Sequence, residues 1–108
     1  MRDLVLYDNN IGNAGTMVVA RALRTNTTIK SVNLVRNKIR DPGGMALSEM
    51  LQYNTTIESL NLQFNKISPP VRKAIEKTWV QSGRAAWKLL FNEKQLSAKE
   101  IARLQRAP

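Results

Sequence analysis

The sequence predicts an α/β solenoid: three β-α units of 28 residues, residues 1–28, 29–56 and 57–83, followed by a helical C-terminal cap over residues 84–108. Three observations lead there. Displacing the chain by 28 residues aligns Met1, Ile29 and Ile57; Leu4, Val32 and Leu60; Leu6, Leu34 and Leu62; Asn9, Asn37 and Asn65; and Ile11, Ile39 and Ile67. Units one and two agree at 9 of 28 positions, as do units two and three, where about two would coincide by chance at average residue usage. Within each unit an apolar alternation of period two gives way to apolar spacing of helical period. A repeat of this length buries its apolar face only against its neighbours, so about three units are the minimum and the ends need caps.

The units open as MRDLVLYDN, IKSVNLVRN and IESLNLQFN. They resemble the leucine-rich repeat pattern LxxLxLxxN, and a 28-residue unit with a full helix resembles the ribonuclease-inhibitor-like subtype. The resemblance spans residues 1–83. It implies a parallel sheet on a concave face, helices on the convex face, and a role in binding other proteins. It also implies that Asn9, Asn37 and Asn65 bond backbone groups of their turn and of the adjoining unit.

Unit one begins with a strand from Asp3 to Leu6, in which Leu4 and Leu6 point inward. Its outer edge is apolar and uncovered, a liability that natural proteins blunt, so further repeats are expected upstream of Met1 in a full protein. Asn13 is the expected N-cap of a helix from Ala14 to Thr25, with Ala14, Met17, Val18, Ala20 and Leu23 facing inward and Asn26 ending it. In unit two the strand runs from Ser31 to Leu34. Asp41 caps a helix that starts at Pro42, where the missing amide costs nothing. Gly43, which matches Gly15, lets helix and strand approach. Met45, Ala46, Leu47, Met50 and Leu51 form the stripe, and Asn54 stops it.

Unit three has a strand from Ser59 to Leu62, a cap at Ser68, prolines at 69 and 70, and a stripe of Val71, Ala74, Ile75, Thr78 and Trp79. Ser82-Gly83 then replaces Asn-Thr and the repeat ends. The stretch RAAWKLLF, residues 84–91, is expected to lay Trp87, Leu90 or Phe91 over the open edge of unit three. A last helix starts at Ser97, where Ser97 with Glu100 forms a capping box and Leu96 with Ile101 a hydrophobic staple. Alone it would be marginal in water, so it docks or frays.

Outward strand positions stack into columns about 4.8 Å apart: Asp3, Ser31, Ser59; Val5, Asn33, Asn61; Tyr7, Val35, Gln63; and Asp8, Arg36, Phe64. Free of core duty, these are the candidate protein-binding residues. Tyr7, Arg36 and Phe64 lead, because interface hot spots favour aromatics and arginine. Three strands present a few hundred square ångströms at most, against about 800 Å² per partner in a standard interface. The partner therefore grips the loops and the C-terminal segment as well, or more repeats exist.

The chain has no cysteine and no histidine. That removes disulfides, thiolate and imidazole catalysis and nearly all zinc sites, and it favours a reducing, cytoplasmic setting, with cytoskeletal or ciliary assemblies among the candidates. The eight acids are scattered singly, so no carboxylate dyad stands out and no enzyme is expected. Gly43-Gly44 is no phosphate loop. No cofactor, metal or small-molecule substrate is expected. No apolar run reaches the roughly 20 residues of a membrane helix. Asn26-Thr27-Thr28 and Asn54-Thr55-Thr56 match the glycosylation pattern but read as helix stops.

The net charge is +9, with +1, +2 and +2 on the three units and +4 on residues 84–108. This favours an acidic protein partner. RNA binding through the basic surface and tail is the alternative from another class. Within the family resemblance, a scaffold or subunit of a larger intracellular assembly is the leading role, beside actin-end capping and regulation of a small GTPase through Arg36 or Arg40.

Overall fold

The computed structural model describes residues 2–91 and 98–106. Its elements run β1 (Asp3–Val5), α1 (Gly12–Thr25), β2 (Ser31–Asn33), α2 (Asp41–Tyr53), β3 (Ser59–Asn61), α3 (Pro69–Gln81), a 3-10 turn (Ala86–Lys88), β4 (Leu89–Leu90) and α4 (Ala98–Arg106). The four strands form one parallel sheet in chain order. Leu4, Val32, Leu60 and Leu89 lie in one row across it, steps of 28, 28 and 29 residues. The last step is why a fixed 28-residue frame finds no fourth strand. Shifted by one, Ala86, Leu89 and Phe91 repeat the spacing of Ile57, Leu60 and Leu62.

The core lies between the sheet and the helices. Val32, Leu34, Ile39, Leu47, Leu51, Ile57, Leu60, Leu62, Ile75 and Trp79 are fully enclosed, and Phe91 packs against this cluster from the C-terminal side. Trp87 does not join it and stands 68% exposed. Trp79 is buried with its indole N–H satisfied by the Ala85 carbonyl at 2.8 Å.

The helix phases differ from the hydropathy reading. Helix α1 buries Thr16, Ala20 and Leu23, whereas Ala14, Met17 and Val18 are exposed; in α2 Met45 is exposed and Ser48 buried. Two polar side chains hide on the core side because their hydroxyls have partners. Thr16 donates to the Gly12 carbonyl at 2.7 Å, and Ser48 lies 3.2 Å from the Thr78 hydroxyl. A buried hydroxyl that is bonded costs little, so apolarity alone misjudges which face turns inward.

The caps also work differently. Asn13 and Asp41 reach across to the next unit rather than closing their own helices. Asn13 Oδ1 accepts the N–H groups of Arg40 and Gly43 at 2.9 and 3.1 Å. Asp41 accepts the Ser68 N–H and the Ser68 hydroxyl, both at 2.8 Å. Gly43 is required by this tie: a Cβ there would stand 2.8 Å from Ile39 Cγ2 and 3.0 Å from Asn13 Oδ1. It thus serves both the close approach of the helix to its own turn at Ile39 and that of the neighbouring unit at Asn13 and Thr16.

Two further rows of side chains stitch the units. Asn37 Oδ1 accepts the N–H groups of Asn9 and Ile11, and its amide donates to the Leu6 and Val35 carbonyls. Asn65 does the same for Asn37, Ile39 and Leu34. At the helix ends, Asn54 donates to the carbonyls of Leu23 and Asn26, while its Oδ1 accepts from Thr56 and Ile57. Asn54 is only 3% exposed, so it is a helix stop and not an accessible glycan acceptor.

In the last unit one arginine takes over this task. Arg84 donates to Leu51, Asn54 and Ile57 carbonyls, the equivalents one unit later of those met by Asn54 and Thr56. Gly83, at φ +86, turns the chain so that it can. Burial lowers the Arg84 pKa below its ordinary value.

Helix α4 docks on α3, with Gln81 donating to the Leu104 carbonyl at 3.0 Å and with Ile101 and Leu104 half-buried. The expected Ser97 cap and Leu96 staple lie outside the described residues.

Replacing Asn37 by Ala orphans buried turn groups of two units, so equilibrium urea unfolding should show a loss of about 2–4 kcal/mol. Bonding by Ser68 holds the Asp41 carboxyl below its ordinary value. A depressed folded pKa stabilises above the unfolded value and that stabilisation is lost as pH falls through the folded one. The stability gap between wild type and Asp41→Ala should therefore be constant at neutral pH and close progressively below about pH 4.

Candidate protein-binding surface

Because side chains alternate along each strand, the rows adjoining the Leu4 row face away from the core. One contains Asp3, Ser31 and Ser59, the next Val5, Asn33 and Asn61. Asp3 and Val5 are exposed, the other four half-buried. Strand β4 extends the second row, since Leu90 pairs with Asn61. The open face is therefore four strands wide. Leu90 belongs to it, and in the 3-10 turn just before β4 the exposed Trp87 has the Lys88 ammonium 5.1 Å from its ring centre. The sequence carried the signal in the 29-residue spacing of Leu60 to Leu89.

Asn33 and Asn61 are partly occupied by local structure. Their Oδ1 atoms accept the N–H groups of Val35 and Gln63, each at 3.0 Å. This fixes both side chains, and their amide N–H groups donate to nothing among the described residues.

The third row does not behave as one surface. Tyr7 is 50% exposed and Gln63 half-buried, but Val35 between them is buried at 5%. Val35 lies one strand in from either neighbour, and its carbonyl accepts from the Asp8 N–H and the Asn37 amide. Its side chain is therefore covered, where alternation along the strand had it pointing outward.

The fourth row has left the sheet. Asp8, Arg36 and Phe64 sit in turns with φ of 55°, 56° and 60°, a left-handed conformation that costs a non-glycine residue about 1–2 kcal/mol. The turn is imposed from below, since the next residues, Asn9, Asn37 and Asn65, must enter the ladder. All three side chains project outward and are exposed. The Arg36 guanidinium lies 5.5 Å from the centre of the Phe64 ring, within cation–π range. Lys38, Arg40 and Lys66 continue this rim, also exposed.

Elsewhere, three acids among the described residues form ion pairs. Glu49 pairs with Arg24, Glu58 with Lys30 and Glu76 with Arg72, at 3.5–3.8 Å. Among the described residues no three His, Cys, Asp or Glu side chains cluster as a metal site, and no helix is long and apolar enough to cross a membrane. A cleft of about 410 Å³ opens beside Arg84, Glu58 and Lys88, and one of about 190 Å³ lies between α1 and α2. In the larger, Arg84 is already occupied by the carbonyls it caps.

Parallel strands that alternate with helices at a 28-residue step, stitched by asparagines, define a leucine-rich repeat solenoid. A model of the leucine-rich repeat family matches residues 25–48 and 53–74. Among solved structures the chain is similar to leiomodin-1 actin-binding site 2, with 28% identity and a TM-score of 0.78 over 96% of this chain and 63% of that one. It thus spans less than two thirds of that structure's length. No curated protein sequence matches it.

Replacing Arg36 with Asn, a residue that tolerates left-handed backbone, separates conformation from contact. Thermal unfolding should show a gain of about 0.5–1 kcal/mol, while any partner that uses the rim is bound more weakly.

Proposed function

We propose that this chain is a non-enzymatic protein-binding module and that the protein it holds is actin. The single observation that carries the reading is the likeness to leiomodin-1 actin-binding site 2, which extends over 96% of this chain. The surface fits such a role: an open sheet face bearing Asn33 and Asn61 amides, Tyr7 and Leu90, edged by Arg36 and Phe64, with Trp87 exposed just before β4. Aromatic and arginine anchors around a polar, preorganised patch are the composition of an interface. The scattered acids, three of them already paired, support binding over catalysis. We assign the units to the ribonuclease-inhibitor-like subtype on their 28-residue length and full helices, and place the chain as a subunit of a cytoskeletal assembly.

The test is direct. Binding to fluorescently labelled monomeric actin, read by anisotropy, and to filaments, read by co-sedimentation, should be saturable for the wild-type chain. The double variant Arg36→Glu, Phe64→Ala should bind about tenfold more weakly, a change of about 1.4 kcal/mol, with an unchanged far-ultraviolet spectrum. Absence of saturable binding to either form of actin by the wild-type chain would falsify the assignment.

A further inference from the structure

We infer that the turn rim of units two and three, with its cations Arg36, Lys38, Arg40 and Lys66 and the exposed Phe64 ring beside Arg36, docks a short acidic stretch of a partner protein that carries an apolar residue among its carboxylates. The inference rests on the protein-binding reading above and names the chemistry of the segment recognised.

Four cations are held here without a carboxylate. Arg24, Lys30 and Arg72 each have an acid within 3.8 Å. Among the described residues none lies within ion-pair distance of Arg36, Lys38, Arg40 or Lys66, and all four are exposed. The nearest acid in sequence, Asp41, is turned to Ser68, whose N–H and hydroxyl bond it.

The backbone beneath these cations is fixed. Arg36 donates its N–H to the Gln63 carbonyl, Lys66 to Ile39, and the N–H groups of Asn37 and Ile39 both meet Asn65 Oδ1. Arg36 and Lys38 are both left-handed, at φ 56° and 58°, which splays alternate side chains outward. A partner thus meets cations whose anchoring is already ordered, which lowers the entropy cost of binding. Phe64, 59% exposed and 5.5 Å from the Arg36 guanidinium, supplies an apolar surface beside them.

The extent of the patch sets the length of the ligand. Lys38 and Lys66 occupy equivalent positions one unit apart, about 5 Å in sheet spacing. Toward unit one the row of Arg36 ends in Asp8 and that of Lys38 in Asn10, so the attraction stops. Two or three carboxylates span what remains. A nucleic-acid strand needs a longer cationic track with repeated stacking platforms. Here its next phosphates would meet Asp8.

The experiment measures anisotropy of a short fluorescein-labelled peptide of Glu, Asp and Leu against the full chain, over a series of salt concentrations. The variant Lys38→Glu with Lys66→Glu should bind about tenfold or more weakly, and Lys38→Gln with Lys66→Gln should fall between it and wild type. The charge-matched control Arg21→Glu with Lys73→Glu, on the helices, should stay within about twofold of wild type. Equal losses in rim and control variants overturn the inference, as does equal binding of the Gln, Asn and Leu peptide, or tighter binding of a single-stranded RNA of the same charge. Rim-dependent peptide binding by a chain that does not bind actin upholds this inference and removes the actin assignment. Undiminished actin binding by the rim variants, with no rim-dependent peptide binding, does the reverse.

Discussion

The structure depends on buried backbone finding partners in the turns between strand and helix. A turn that leaves a sheet below the surface strands N–H and carbonyl groups that water cannot reach, and each left unpaired costs about 1–3 kcal/mol. A carboxamide solves both halves at once, since one end accepts and the other donates. Asn37, with no exposed surface, does this for the turn of unit one, and Asn65 for the turn of unit two. Each asparagine serves the unit before it, so no unit is complete alone. That dependence makes the assembly cooperative from neighbour to neighbour, and it forces the residue before each asparagine into left-handed backbone.

The candidate surface is a by-product of this arrangement. Asp8, Arg36 and Phe64 protrude because the ladder beneath requires the turn. The side chain at that place is then free to vary, and it is acid, arginine and phenylalanine in the three units. A scaffold position fixed in backbone and unconstrained in chemistry is where recognition can be written without disturbing the fold.

Much of this was legible in the sequence. The period named the fold, and the strand rows followed from alternation, so that Asp3, Val5, Asn33 and Asn61 lie on the open face as expected. What was not legible turns on pairwise geometry. Val35 reads as an outward residue by alternation, but alternation ends where the strand does, two residues earlier. Met17 and Met45 read as core by hydropathy and are solvated, because Thr16 and Ser48 take the inner face with their hydroxyls satisfied, Thr16 by its own helix and Ser48 by the helix of the next unit. Asn13 and Asp41 look like caps in sequence, and only the neighbouring unit shows where their oxygens go. The fourth strand escaped a strict 28-residue frame by one residue.

Arg84 carries a consequence for how such a chain changes length. Its guanidinium meets the carbonyls of Leu51, Asn54 and Ile57, and Asn54 and Thr56 together meet those of Leu23, Asn26 and Ile29. The closing piece and an ordinary unit thus present interchangeable plugs to the same socket. Duplicating an internal unit by recombination would leave every seam matched, with the terminator unaltered. Growth is therefore open in the middle of the chain, where each seam repeats the one before it.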